Sequence, residues 1–250
     1  MSLGEAIAFI ARPVYRDTRD PVDAEGLRHL LVLFLLSVLA VFVVMGVVWP
    51  IILSANGGEA PANANDALAE MNPGRMVLMV VVLAPLIEEL LFRSWLGAPR
   101  ACLYGLPVVA ALTAVMMGGG SASGAFVLPV AAVLGFLAVA VIMRARSLSD
   151  AGASAMRDTL FPWAFWGSAI VFAALHLANF TDGITTPLLL LAVLPQCLLG
   201  LVLGYVRMRF GLAPAIGFHG GYNALAVTLS LLAGGLGDAA NNATAIALLF

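Results

Sequence analysis

Residues 29–54 read HLLVLFLLSVLAVFVVMGVVWPIILS, a run without a single acidic residue, lysine or arginine. A helix needs about 20 apolar residues to cross the hydrocarbon core of a bilayer, so this run predicts a membrane-spanning helix. Six further apolar segments follow it, at 75–97, 102–117, 124–143, 162–180, 185–206 and 212–235. The short apolar tail at 239–250 can pack on the surface or begin an eighth element. The sequence therefore predicts an all-α, polytopic transmembrane bundle of about seven to eight helices.

The composition supports the same class. Hydrophobic residues make up 62% of the 250 residues and charged residues only 10%, whereas soluble domains carry about 25% charged residues. A soluble core of this size cannot hide so much apolar surface, so lipid is expected to cover it. The net charge of -2 gives no reason to expect a nucleic-acid partner. Cys102 and Cys197 lie in apolar segments without paired spacing, and we interpret both as small buried hydrophobic residues.

The positions of the arginines predict the orientation, because basic residues concentrate in cytoplasmic loops. With seven spans, the basic loops fall on the side of the N-terminus, and Arg75 is the exception. We expect residues 1–28 to be a cytoplasmic N-terminal segment and residues 29–250 to form one helical membrane domain. Lysine is absent and the chain is rich in alanine, glycine, leucine and valine. This composition is typical of a GC-rich bacterial genome and favours a bacterial cytoplasmic membrane.

Two adjacent acids lie deep in the second predicted span, within Ala84-Pro85-Leu86-Ile87-Glu88-Glu89-Leu90-Leu91-Phe92-Arg93. An ionisable group in hydrocarbon costs about 2.5–3.5 kcal/mol on insertion scales, which makes each one a functional candidate. Glu89 and Arg93 have the i, i+4 order that favours an ion pair. This pairing predicts a structural role for Glu89 and leaves Glu88 without a local partner. Pro85 is expected to kink the helix and open space beside Glu88.

Two later spans carry a histidine and a second side chain on the same helical face. Phe172 and His176 are separated by four residues, as are His219 and Asn223. A single histidine in a membrane helix is more often a packed, hydrogen-bonded residue than a catalyst. Three deep polar groups on three spans need partners that lipid cannot supply. We therefore expect them to surround one small wet cavity.

These side chains are suited to hydrolysis by activated water. Glu88 and His176 form a plausible water-activating pair, since a carboxylate away from bulk water is suited to act as a general base. His219 and Asn223 could donate hydrogen bonds to the oxyanion of a tetrahedral intermediate. No serine or cysteine near these groups has the setting of a nucleophile. No cofactor is expected; zinc held by Glu88, His176 and His219 is the alternative, although no compact metal-binding spacing supports it.

Two other classes of function remain open on the residues alone. Intramembrane glutamate and histidine also build proton relays, so a proton-coupled transporter or channel is one rival. A non-enzymatic immunity or scaffold protein of the membrane is the other. No convincing internal repeat is present, which disfavours transporters built from inverted repeats. Gly200-x-x-x-Gly204 is expected to pack helices within the chain rather than between chains.

Three motifs in this order resemble those of one family of membrane proteases: Glu88-Glu89-x-x-x-Arg93, Phe172-x-x-x-His176 and His219-x-x-x-Asn223. The family is that of the CAAX proteases and bacteriocin-processing (CPBP, or ABI) proteins, which includes the type II CAAX prenyl endopeptidases. The resemblance covers a catalytic core of about residues 75–230. It implies an intramembrane glutamic endopeptidase in which Glu88 and His176 activate water and His219 and Asn223 stabilise the oxyanion.

In this resemblance Glu89 and Arg93 support the site, and Phe172 completes the second motif. The implied partner is a membrane-associated peptide or protein within the bilayer, and bacterial relatives are linked with peptide maturation and bacteriocin self-immunity. Whether the substrate is prenylated, and whether the chain forms oligomers, are not predicted.

Overall fold

The computed structural model describes residues 3–59, 61–63, 71–118, 124–182 and 186–235. In chain order the helices are α1 (Leu3–Ala11), α2 (Ala24–Ala55), α3 (Pro73–Met76), α4 (Ala84–Arg93), α5 (Gly105–Gly118), α6 (Gly124–Ser147), α7 (Asp150–Leu175), α8 (Thr186–Ala192), α9 (Leu194–Arg209) and α10 (Leu212–Gly235). A π-helical segment, Val77–Leu83, joins α3 to α4. Strand β1 (Ala62–Asn63) pairs antiparallel with β2 (Phe180–Asp182). The predicted all-α bundle is confirmed, with this short strand pair as its one addition in the described residues.

Every predicted span overlaps a helical segment, and three differ clearly from their predicted bounds. Helix α7 begins at Asp150 rather than at residue 162, because the Ser149 side chain accepts the backbone N–H of Gly152 at 3.2 Å and caps the helix. Helix α2 begins at Ala24 rather than at residue 29, because the Asp23 side chain accepts the backbone N–H of Gly26 at 2.9 Å and caps the helix. The predicted span 185–206 is divided into α8 and α9. Residues 239–250 and part of the connection 55–74 lie outside the described residues. The orientation and the division at residue 28 stay predictions.

The outer surface of the bundle is apolar, as a bilayer requires. Among the described residues, three helical stretches are long and apolar enough to cross a membrane: Ala24–Ala55, Asp150–Asn179 and Pro187–Arg209. Large apolar side chains point outward, and Phe136 on α6 is 77% exposed. Water would penalise such a surface, whereas lipid does not.

The N-terminal helix packs onto the bundle. It spans Leu3–Ala11. Ala6 is buried, and the Phe9 ring meets the rings of Phe165 and Tyr205 edge to face. The indole Nε1 of Trp166 on α7 donates to the carbonyl of Ile10 at 2.8 Å. This segment is therefore attached to α7 and α9, two helices of the central bundle.

Helices α7 and α9 approach each other closely through the two predicted glycines. A Cβ atom at Gly200 would lie 3.2 Å from Ala169, and one at Gly204 would lie 2.8 Å from the Phe165 ring. The glycines allow the two antiparallel helices to touch backbone to side chain. The prediction that this motif packs helices within the chain is confirmed.

Pro85 lies in the first turn of α4, directly after the π-helical segment. In that segment each N–H pairs five residues back, and the N–H of Ala84 donates to the carbonyl of Met79. Proline has no N–H, so the next carbonyl in the series, that of Val80, receives no backbone donor from residue 85. The expected disturbance near Pro85 is therefore present as a π segment, a feature often found at functional sites.

Candidate active site

The ion pair between Glu89 and Arg93 is completely buried on α4. The Arg93 Nη1 atom donates to Glu89 Oε1 at 3.0 Å, and neither side chain is exposed. The pair forms as predicted because residues four apart lie on the same face of a helix. Removing either partner would leave an uncompensated charge in the bundle.

His219 on α10 reaches the same carboxylate. Its Nδ1 atom lies 3.0 Å from Glu89 Oε1. Because this carboxylate already accepts from Arg93, we assign the proton of this hydrogen bond to Nδ1. Glu89 therefore fixes the orientation of the His219 ring, and it joins α4 to α10 across the bundle.

Glu88 approaches the other nitrogen of the same imidazole. Its Oε2 atom lies 3.7 Å from His219 Nε2, and its side chain is 21% exposed. Oε2 itself is buried and has no hydrogen-bond partner among the described residues. The two glutamates thus point in different directions, as adjacent helical residues must, and flank one histidine ring. The Oε2 atom of Glu88 is therefore an unsatisfied polar atom on the Nε2 side of the His219 ring.

His176 lies at the point where α7 ends and a short 3-10 turn begins. Its Nδ1 atom lies 2.8 Å from the carbonyl of Phe172. A carbonyl can only accept, so Nδ1 carries the proton, and in the neutral ring Nε2 keeps a free lone pair. The side chain is 9% exposed.

Phe172 connects the two histidines and the arginine. Its ring centroid lies 4.8 Å from that of His176 and 5.8 Å from that of His219. The Arg93 guanidinium carbon lies 4.0 Å from the same centroid, a cation–π distance. The second motif therefore supplies the aromatic wall against which the charged group of α4 packs.

Asn223 lies one turn beyond His219 on α10 and contacts the π segment. Its Nδ2 atom donates to the carbonyl of Val80 at 2.9 Å, which provides the donor that Pro85 cannot. The approach is close because Gly220 lacks a side chain, and a Cβ there would lie 2.8 Å from the Val81 carbonyl oxygen. One hydrogen of the Asn223 amide remains for another acceptor.

A protein-family model matches residues 71–225, and its description is type II CAAX prenyl endopeptidase Rce1-like. The chain belongs to this family. Neither the comparison with curated proteins nor that with solved structures found a match. Membership makes the chain a peptidase, and its apolar helices make it an integral membrane protein. The matched region contains all seven residues of the three motifs and agrees closely with the predicted core.

Two contacts of these motif residues were not predicted from the sequence. Glu89 is not accounted for by Arg93 alone, because it also binds His219. Glu88 lies next to His219 rather than His176, and the described contacts include no hydrogen bond or ion pair between Glu88 and His176. The sequence could not reveal either contact, since both depend on how α4, α7 and α10 are rotated against one another.

The zinc alternative requires three ligands around one point. Within the described residues, no group of three histidine, cysteine or acidic side chains is arranged so that it could hold a metal ion. Zinc held by Glu88, His176 and His219 stays a prediction for experiment.

Two polar residues outside the motifs contact the glutamate helix and were not predicted. Ser168 of α7 donates to the carbonyl of Phe92 at 2.7 Å, and Arg207 of α9 donates to the carbonyls of Arg93 and Ser94 at 2.9 and 3.0 Å. Ser168 could have been noticed, because it precedes Phe172 by four residues and shares its face. Arg207 directly follows the predicted span 185–206, where a basic residue is expected in a loop. Nothing in its local sequence indicates a contact with α4.

Proposed function

We propose that this family member is an intramembrane endopeptidase that hydrolyses a peptide bond of a membrane-associated or lipid-modified protein by activated water. The observation that carries the proposal is the unpartnered, buried Oε2 atom of Glu88 beside His219, inside a region matched by an endopeptidase family. A carboxylate with a free oxygen in a site shielded from bulk water is suited to remove a proton from a bound water.

In the proposed reaction, Glu88 and His176 activate the water. The water oxygen attacks the carbonyl carbon of the substrate while Glu88 accepts the proton that leaves the water. His176 can hold the same water through the lone pair on Nε2, since its Nδ1 proton is engaged by Phe172. When the tetrahedral intermediate collapses, the C–N bond breaks and the proton passes from Glu88 to the leaving amine.

His219 and Asn223 are assigned to the developing oxyanion. Donation from His219 Nε2 requires a proton on that nitrogen in addition to the Nδ1 proton that Glu89 accepts. Asn223 keeps one amide hydrogen free of the Val80 carbonyl. Donors that are already oriented stabilise the transition state without reorganisation.

We place the substrate in a bacterial cytoplasmic membrane, on the basis of composition, and leave its lipid modification to experiment. The family description names prenyl endopeptidases. A matched pair of peptides, one farnesylated at a C-terminal CAAX sequence and one unmodified, decides whether the lipid is required.

The decisive experiment is peptide cleavage by purified protein in detergent, followed by mass spectrometry. Glu88→Gln keeps the size and polarity of the side chain but removes the base, and we expect it to lower kcat by at least about 1,000-fold. Glu59→Gln, a loop variant outside the site, is the matched control and should keep full activity. Cleavage by Glu88→Gln at the wild-type rate would contradict the role of Glu88 as the base that activates water.

The same assay separates the alternatives. Inhibition by a chelator that is reversed by zinc would assign the reaction to a metallopeptidase. Substrate-dependent flux in liposomes without cleavage would assign the chain to transport, and full biological function of Glu88→Ala and His176→Ala would assign it to a scaffold role.

A further inference from the structure

The C-terminal end of the glutamate helix, α4, has an unusually complete set of carbonyl partners. The last carbonyls of any helix lack intrahelical donors, and inside a bilayer no bulk water replaces them. Three are satisfied locally: Glu89 by the Ser94 N–H at 3.1 Å, Leu90 by the Ser94 hydroxyl, and Leu91 by the Trp95 indole at 3.0 Å.

The next three carbonyls are satisfied by other helices. The Ser168 hydroxyl of α7 donates to the carbonyl of Phe92 at 2.7 Å. Arg207 of α9 donates from Nε to the carbonyl of Arg93 at 2.9 Å and from Nη2 to that of Ser94 at 3.0 Å. The guanidinium group is a rigid, planar fork, so a two-point contact of this kind defines direction as well as distance.

Each of these donors belongs to a helix that also contacts the site. Ser168, Phe172 and His176 follow one another at intervals of four residues and share one face of α7. On α9, Gly200 lies two turns before Arg207 and against the Arg93 guanidinium, with 3.2 Å between its virtual Cβ and Nη2. Helices α7 and α9 therefore both hydrogen-bond to the end of α4 and contact Arg93, the ion-pair partner of Glu89.

We propose that Arg207 and Ser168 are positioning residues: they fix the rotation and height of α4, and thereby the places of Glu88 and Glu89 relative to His176 and His219. This inference rests on the proposed function. In the described contacts, Arg207 donates to the backbone of α4 and to none of the side chains assigned to the water or the oxyanion, so it acts through that backbone.

The turn after α4 is held from the N-terminal segment as well. The Tyr15 hydroxyl donates to the carbonyl of Gly97 at 3.2 Å. Burial raises the pKa of the Tyr15 phenol, which keeps the hydroxyl protonated as a donor. This segment lies outside the family-matched residues 71–225. The end of the glutamate helix is thus fixed partly by residues outside the family-matched range.

The molecule contains a matched control for Arg207. Arg100 donates to the carbonyls of Ala145 and Leu148 at the end of α6, at 2.7 and 3.4 Å. Like Arg207, Arg100 is an arginine that donates to carbonyls at the C-terminal end of a helix from a distant part of the chain, and it also pairs with Asp150 at the start of α7 at 2.6 Å. Helix α6 carries none of the motif residues, so we expect loss of this cap to affect folding without moving the glutamates.

The test compares Arg207→Met, Arg207→Lys and Ser168→Ala with Arg100→Met. Initial rates are measured on the peptide in detergent, alongside thermal unfolding. We expect Arg207→Met to lower kcat by about 10- to 100-fold with KM changed less than about threefold, because a displacement of about 1 Å can cost a factor of 100. Arg207→Lys keeps one donor and should recover part of kcat, and Ser168→Ala should lower kcat less than Arg207→Met.

Arg100→Met should keep kcat within about twofold of the wild type. Equal losses of kcat in Arg207→Met and Arg100→Met, or losses that follow unfolding temperature alone, would overturn the positioning role. If Arg207→Met does not fold, Arg207→Lys and Ser168→Ala decide: wild-type kcat in both overturns the proposal, and reduced kcat at wild-type stability supports it. These outcomes are distinct from active Glu88→Gln, which would refute the proposed function itself.

Discussion

The junction of α4, α7 and α10 and the hairpin of α5 and α6 differ in where their charged and aromatic side chains lie. At the junction Glu89, Arg93 and Phe172 have no exposed surface. On the hairpin Phe136 is 77% exposed, and Arg144 lies in the exposed last turn of α6. Charges are therefore buried where other helices supply partners, and they stay at the helix end where lipid is the neighbour.

This contrast shows that the helix with the candidate site differs from the lipid-facing helices in how its charges are paired. A buried charge is costly in free energy. The junction nevertheless contains four ionisable side chains whose contacts join different helices: Glu88, Glu89, Arg93 and His219. The hairpin carries its cations at its end, where the arginine side chains can reach water. The two regions should consequently respond very differently to the same substitution.

The largest difference is expected for arginine. Arg93→Met leaves Glu89 buried without its cation and should lower the free energy of unfolding by about 3–5 kcal/mol. Arg144→Met in the hairpin should cause no measurable change. Unfolding by SDS titration in mixed micelles measures both, and the double variant Glu89→Leu with Arg93→Met should recover part of the loss. Equal free energies of unfolding for Arg93→Met and Arg144→Met would contradict the proposed difference between the two regions.

A smaller difference is expected for glycine. Gly220→Ala forces a methyl group to within 2.8 Å of the Val81 carbonyl oxygen and should cost about 1–3 kcal/mol through displacement of α10. Gly217, on the same helix, and Gly135, on α6, have no atom within 4 Å of a virtual Cβ. Alanine at either position should be neutral or slightly stabilising in the same titration. A neutral Gly220→Ala would show that α10 does not need this close approach.

The smallest difference is expected for phenylalanine replaced by leucine. Phe172→Leu removes the ring above Arg93 and should cost about 1 kcal/mol or slightly more from lost packing and cation–π attraction. Phe136→Leu removes a ring that faces lipid and should leave the unfolding curve unchanged. Comparable losses at both positions would mean that the hairpin packs against a protein surface.

Contacts within one helix could be predicted from the sequence, and contacts between helices could not. Glu89 and Arg93 are four residues apart, and this spacing alone brings them together once the segment is helical. The bond from His219 to Glu89 joins α10 to α4, and it depends on the relative rotation and depth of the two helices. Hydrophobic periodicity contains no information on either quantity when all sides of a helix are apolar.

Pro85 illustrates a prediction of the right place with an incomplete structure. Proline predicts a disturbed helix one turn earlier, and the π segment Val77–Leu83 occupies that position. That Asn223 would fill the missing hydrogen bond could not be predicted, because the amide comes from the last described helix. The seven motif residues were nevertheless recognisable as a set, because their three motifs occur in the same order as in the family that they resemble.

The Val80 carbonyl has a consequence for how the protein is made. During synthesis α4 precedes α10 along the chain. Until α10 is present, the Val80 carbonyl lacks its donor, the Asn223 amide, and Glu89 lacks its contact with His219 Nδ1. Insertion of α10 supplies both in one event, together with the two groups assigned to the oxyanion. A chain that ends before α10 would therefore contain Glu88 and Glu89 but lack both groups that we propose for the oxyanion.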